Sequence, residues 1–227
     1  MTYAVSLERV WKRYHKKDFI FSHKDLFWAV QDLSLSVRQG EMVTFLGANG
    51  AGKSTLMRLV AGITGPTQGR VRVEGRVMPI LSMDSCLFSY MTAEENIKFL
   101  MSVYQLDPDK RKTILPEIIA FSELGEFTEM PVKNFSAGMR TRLSFAIAAH
   151  LPSDIFIFDE VLLARDEMFR KKSLDMLRLL KSRQKTILFT THDLVDAAIS
   201  DRIVWLERGM IKTEGAPDRV LPLYTHG

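Results

Sequence analysis

The sequence is short of the features that would send a chain out of a cell or into a bilayer. It holds one cysteine, Cys86, in 227 residues, so no disulfide can close within the chain and a reducing compartment suits it. No stretch approaches the roughly 18 uninterrupted apolar residues of a membrane-crossing helix. The opening residues, Met1 to Ser6, lack a basic region followed by an apolar run. No secretory signal is therefore expected, and the chain reads as cytosolic. Internal repeats, low-complexity tracts and long linkers are missing too. Charge of one sign is scarce: 31 Lys and Arg against 27 Asp and Glu leave a net +4. So small an excess fits a phosphate-binding protein or a solvated surface, and a nucleic-acid partner is not expected. The length fits one large α/β domain, or one domain with an inserted subdomain. Such a chain buries roughly 70–75% of its unfolded surface without a metal or disulfide staple.

What is present is sharper. Gly47-Ala48-Asn49-Gly50-Ala51-Gly52-Lys53-Ser54-Thr55 fits the pattern G-x-x-x-x-G-K-[ST]. It follows an apolar run over 42–46 and leads into a helical pattern over 56–61, the strand–loop–helix setting this motif requires. Glycines let the backbone turn its N–H groups inward, making an anion nest backed by a helix N-terminus. Lys53 can reach β- and γ-phosphates, and the Ser54 hydroxyl can ligate Mg²⁺.

The pattern along the chain is that of an α/β protein. Residues 5–14, 33–37, 71–73 and 77–80 read as short strands, with a Pro/Gly break at 65–69. From Thr92 to about Leu151 apolar residues recur at helical spacing, notably over 96–101 and 114–121, and strand-like runs disappear. We expect a core over about 1–91 and 152–227, with a mostly helical subdomain inserted at about 92–151. Residues 155–158 and 186–190 are short and wholly apolar, as strands buried on both faces of a parallel sheet are. A helix over 171–183 joins them in a βαβ unit.

Both buried strands end in chemistry. Asp159 and Glu160 close the first, where Asp159 can hold Mg²⁺ through water and Glu160 can polarise an attacking water. Thr190-Thr191-His192-Asp193 closes the second. A histidine at a strand end is usually unremarkable, but neighbouring strands would set His192 beside Glu160. Phe135-Ser136-Ala137-Gly138-Met139 opens a helix running through His150. Ser136 is a natural N-cap; a hydroxyl, a glycine backbone and a helix N-terminus also make a second anion site.

These motifs, in this order, resemble the ATP-binding-cassette (ABC) ATPases along essentially the whole chain. FSAGM stands where LSGGQ is usual. The resemblance implies a P-loop NTPase fold with a mixed sheet, a small N-terminal antiparallel β part and the helical insertion. It places Asp166 at the position following the catalytic glutamate. It places Tyr14 where an aromatic stacks on adenine, although core packing is an equally good role for that ring. It further implies a head-to-tail homodimer with two ATP molecules between the subunits. Each would lie on Lys53 of one chain and face Ser136 and Gly138 of the other. Closure would drive separately encoded membrane permease subunits, with the chain held peripherally at the cytoplasmic face of a bacterial inner membrane.

Within that family, FSAGM followed by Arg142, Phe158-Asp159-Glu160-Val161 without a following proline, and the run from Asp166 to Lys172 resemble exporters of bacterial surface polysaccharides. Arg165 stands where that run has glycine. The chain ends soon after Gly215, as in the short, capsule-exporting type without a carbohydrate-binding domain. One departure concerns a glutamine that most cassettes carry near Met83. None lies between Gly69 and Tyr104, so Ser82, Asp84 or Ser85 substitutes or the step is handled differently. Residues 81–90, bounded by Leu81 and Tyr90, are expected to grip the membrane partner, with Leu87, Phe88 and Tyr90 filling that contact or packing as an ordinary loop. An importer ATPase of the same fold competes with the export reading. A soluble ATP-gated clamp or a small-molecule kinase explains fewer of the motifs.

Overall fold

A computed structural model describes residues 2–15, 26–81, 87–159 and 166–226. The chain opens with two long antiparallel strands, β1 (Tyr3–His15) and β2 (Leu26–Arg38), followed by β3 (Met42–Leu46) and α1 (Lys53–Val60). Next come β4 (Gln68–Val73), β5 (Val77–Ile80), α2 (Ala93–Val103), α3 (Pro108–Ser122) and α4 (Ala137–His150). Then β6 (Ile155–Asp159), α5 (Glu167–Ser182), β7 (Thr186–Thr190) and the single turn α6 (Leu194–Ala197) lead to β8 (Arg202–Glu207), β9 (Met210–Gly215) and α7 (Pro217–His226).

The strands sort into two sheets. A three-stranded antiparallel sheet runs β2-β1-β4, and a six-stranded sheet runs β5-β6-β7-β3-β8-β9. In the larger sheet only β9 is antiparallel to its neighbour. This is the mixed sheet with a small antiparallel part that the motifs imply. Strands β3, β6 and β7 are buried along their whole length. Layers cover both faces of a parallel sheet, so such strands read as unbroken apolar runs.

Alternate residues of β6 feed opposite cores. Phe156 and Phe158 join a cluster with α2 to α5, whereas Ile155 and Ile157 join one with α1 and the three-stranded sheet. Phe145 of α4 lies tilted against Phe158 at 5.3 Å between centroids and stacks on Phe121 of α3 at 6.0 Å. The helices α2 to α4 thus share their core with the sheet. Topologically they are the crossover between β5 and β6, which lie side by side and parallel. Parallel neighbours need such a connection, and here it is long enough to carry a layer of its own. α2 starts on a capping box in which Thr92 Oγ1 accepts from Glu95 N and the Glu95 carboxylate accepts from Thr92 N.

Several elements differ from the expected spans. β2 begins at Leu26 rather than 33, since Phe27 and Trp28 pair with Tyr14 and Arg13 across the hairpin. α1 begins at Lys53 and α5 at Glu167, each a turn earlier than the apolar periodicity indicates. First turns are often polar because their N–H groups face ligands or caps. β8, β9 and α7 lie beyond the expected elements. Their signal is the Arg208-Gly209 turn, both residues at positive φ (49° and 81°), behind the apolar run Ile203 to Leu206.

Candidate nucleotide-binding site

The phosphate loop leaves the carboxyl end of β3, which lies between β7 and β8 in the parallel part of the sheet. Two glycines are fixed by close approach. A Cβ on Gly52, at φ 104°, would lie 2.4 Å from the Ala29 carbonyl oxygen, and one on Gly47 would lie 2.4 Å from that of Leu206. The loop is braced from behind: Gly209 N–H donates to Ala51 O at 3.0 Å, and Gln31 N–H donates to Gly209 O at 2.8 Å. Gly52, in the left-handed conformation, stands at the N-cap of α1, whose first turn holds no acidic side chain. The helix therefore presents its N–H groups with no negative side chain nearby in sequence. Lys53 is only 5% exposed, and its Nζ donates to Gly47 O at 2.7 Å and Ala48 O at 3.2 Å. Ala48, Asn49, Gly50 and Ser54 are exposed at the mouth, Gly47 and Ala51 are buried, and Thr55 is half-buried.

Strand register places the acidic end. Phe45, Thr190 and Asp159 are consecutive partners across β3, β7 and β6. Asp159 is buried at the tip of β6, where its Oδ1 accepts from Thr190 Oγ1 at 2.8 Å. β6 and β7 are neighbours, so the residues after Thr190 emerge between Asp159 and the phosphate loop. Thr191 is buried and accepts from Asp193 N at 3.0 Å; His192 between them is exposed. Glu160, expected beside His192, lies outside the described residues.

Asp166 caps α5, with Oδ1 accepting from Met168 N at 3.0 Å and Phe169 N at 3.4 Å, while Oδ2 pairs with Arg142 of α4. The pairing with Asp166 brings Arg142 into the site. Its position within the FSAGM helix is the only sequence signal for it. Ser136 caps α4, its Oγ accepting from Met139 N at 3.2 Å. Phe135 is buried as an anchor, but Ser136, Ala137 and Gly138 are exposed, and the first turn has no acidic residue. The cap is real, and the helix end it leaves faces solvent.

Tyr14 lies on the sheet that braces the loop. Its ring tilts 30° against Phe27 at 5.9 Å, Lys12 Nζ sits 5.1 Å from its centroid, and its enclosed hydroxyl has no hydrogen-bond partner among the described residues. Between Phe27 and Ala29 the pairing shifts register, Trp28 facing Arg13 and Val30 facing Lys12, so Ala29 is the extra residue whose carbonyl oxygen lies against Gly52.

Between β5, α2 and α4 runs an apolar groove of about 390 Å³, lined among others by Met78, Leu87, Phe88, Phe99, Val103 and Ile147. Asn96, fully buried, shapes its rim: Oδ1 accepts from Phe88 N at 2.7 Å, and Nδ2 donates to Phe88 O and Thr92 O at 3.1 and 2.8 Å. Within the expected partner-facing stretch, Leu87 is half-buried on the core, and Phe88 packs edge-on against Phe99 at 4.8 Å. Tyr90 is 84% exposed, stands outside the groove lining and carries Lys133 Nζ over its ring at 5.0 Å. Ser82, Met83, Asp84 and Ser85 lie outside the described residues.

A family profile described as ABC transporter matches residues 30–162. The chain belongs to the ABC transporter family. It is 37% identical, over 99% of its length, to the teichoic acids export ATP-binding protein TagH of Bacillus anthracis, of which it spans 43%. Over 92% of its length it is 38% identical to the O-antigen export system ATP-binding protein RfbB of Klebsiella pneumoniae, spanning 88% of that protein. Among solved structures it resembles the dimeric post-hydrolysis state of the ATP-binding cassette MJ0796 bound to ADP and Pi. That match has a TM-score of 0.83 and 24% identity, covering 94% of this chain and 98% of that one. At such identity the likeness is one of fold, and it agrees with the P-loop architecture expected from the motifs. Among the described residues no helix of this ABC chain is long and apolar enough to cross a membrane.

Proposed function

We propose that this chain is the ATP-binding and hydrolysing subunit of an exporter of cell-surface polysaccharide. The observation that carries the reading is the phosphate loop: glycines at 47 and 52 with no room for a Cβ, a buried lysine at its mouth, and a buried aspartate two strands away at the same level of the sheet. In this reading the N–H groups of residues 47–55 and Lys53 Nζ hold the β- and γ-phosphates. Ser54 Oγ and, through water, Asp159 would hold Mg²⁺, which supplies charge neutralisation at the phosphate oxygens. Oxygen donors at the loop mouth and a strand tip suit such a hard cation. Glu160 polarises the attacking water, His192 contacts the γ-phosphate, and Tyr14 with its neighbours offers an aromatic face to adenine.

The exposed N-terminus of α4 supports a second part of the proposal. Ser136 and Gly138 face a triphosphate held by another copy, and Asp166 lines the same head-to-tail interface. The polymer class follows the names of TagH and RfbB, teichoic acids and O-antigen exporters; a capsular, lipid-linked substrate is the finer form we propose. The groove beside Phe88 and Phe99 is the seat we assign to a helix of the membrane subunits. Through them the chain is held peripherally at the cytoplasmic face of the inner membrane.

The groove gives a direct test. Phe88→Asp puts a charge into an apolar seat without touching the phosphate loop. ATP turnover of the isolated chain is expected within about twofold of wild type, while polymer reaching the cell surface falls by about tenfold or more, the cost of losing an apolar anchor. Unchanged export by a strain carrying this variant would remove the groove from the transport cycle. Lost turnover would place Phe88 in the nucleotide site instead.

A further inference from the structure

The turn after His192 is held by Arg170, a residue of the run from Asp166 to Lys172 to which no role has yet been given. α6 is one helical turn, too short to hold its own shape. Asp193 caps it, with Oδ1 accepting from Val195 N at 2.7 Å and Asp196 N at 3.4 Å. Arg170, in the first turn of α5, reaches both of its ends. Its Nη2 donates to Asp193 Oδ2 at 2.8 Å and to Asp196 Oδ1 at 2.6 Å, and its Nε donates to Asp196 Oδ2 at 3.3 Å. Asp196 is fully buried. One guanidinium therefore bridges a capping carboxylate adjacent to His192 and a buried carboxylate three residues further on.

We propose that Arg170 is a positioning residue for hydrolysis: it fixes the backbone that carries His192 by clamping Asp193 and Asp196 to the first turn of α5. This rests on the reading of His192 as the γ-phosphate contact. The planar fork suits the task, since it meets Asp196 side-on through Nε and Nη2 and still reaches a second carboxylate. Arg170 is itself well anchored, its N–H donating to Asp166 O at 2.9 Å, and Asp166 is paired with Arg142 of the α4 helix. The loop carrying His192 and the residue expected at the subunit interface are thus fastened to the same helical turn. Burial pushes the Asp196 carboxyl up, and the Arg170 hydrogen bond and charge oppose that shift. The guanidinium is the cation paired with this buried carboxyl.

The test must separate positioning from stability, because removing Arg170 alone strands a buried charge. The double variant Arg170→Met with Asp196→Asn removes clamp and charge together. It is expected to melt near the wild type and to lose at least about tenfold in kcat, with the ATP KM within about threefold, the pattern of a lost transition-state contact. Amide exchange over 192–198 should quicken by about tenfold while β3 and α1 exchange as before. Arg170→Lys, a point charge that cannot bridge both carboxylates, should fall between, and it decides the matter if the double variant does not fold. A kcat within about twofold of wild type for the folded double variant, or for Arg170→Lys in its place, overturns the proposal whatever the exchange shows. His192→Ala is the control. If it keeps wild-type turnover, the role of His192 fails and this inference with it. If it loses turnover while the clamp variants do not, only the clamp is wrong.

Discussion

Lys53→Ala is expected to lower ATP affinity by about 100-fold, the worth of charged hydrogen bonds to a phosphate group. The structure explains why so much rests on one side chain. Lys53 opens α1, so its Cα stands where the helix N–H groups converge, and Gly52 before it has no room for any substituent. The side chain is buried, with Nζ turned onto the carbonyls of Gly47 and Ala48. The ammonium is already at the mouth of the loop in an orientation set by the loop itself, so little side-chain entropy is left to lose on meeting phosphate. Alanine also withdraws two donors from the loop carbonyls, a loss of about 1 kcal/mol each. Titration with a fluorescent ATP analogue, beside a melting curve, separates these effects. A folded variant with wild-type affinity would mean that the phosphates bind elsewhere.

Asp159→Asn should cost about 10- to 100-fold in turnover at ordinary Mg²⁺ concentrations, the usual penalty for disturbing an outer-sphere metal partner. Asparagine keeps the shape, and its amide oxygen can still accept from Thr190 Oγ1, the 2.8 Å bond that now fixes the carboxylate. Stability should therefore change little while the negative charge disappears. The discriminating measurement is turnover against Mg²⁺ concentration. Activity recovered by raising Mg²⁺ is the expected result. A loss that no Mg²⁺ concentration repairs would assign Asp159 a role other than holding the ion.

The motifs that carry this reading were legible because each is local. The phosphate loop, the Ser136 cap and the apolar runs of β6 and β7 are each set within a few residues. Their interactions are dominated by backbone geometry and by burial on both faces. The adjacency of β6 and β7 followed from a single connecting helix, since a βαβ unit places its strands close together. What could not be read depends on distant partners. The brace behind the loop joins Gln31, Ala51 and Gly209, and nothing near Gly47 announces it. Thr190 serves Asp159 only through strand register. Arg142 and Arg170 look like ordinary helix-surface cations until α4, α5 and α6 are packed together. The partners of Tyr14 are equally non-local in sequence, since strand pairing sets its ring against Phe27.

The whole account rests on ATP being shared between two copies, with Lys53 from one and Ser136 from the other. Mixing two inactive variants tests this most directly. A dimer built from one Lys53→Ala chain and one Ser136→Arg chain concentrates both defects in one site and leaves the other intact. An equal mixture should therefore regain about a quarter of wild-type turnover, half the dimers being mixed with one of two sites working. Turnover by the mixture no higher than that of either variant alone, or full activity of Ser136→Arg by itself, would contradict it.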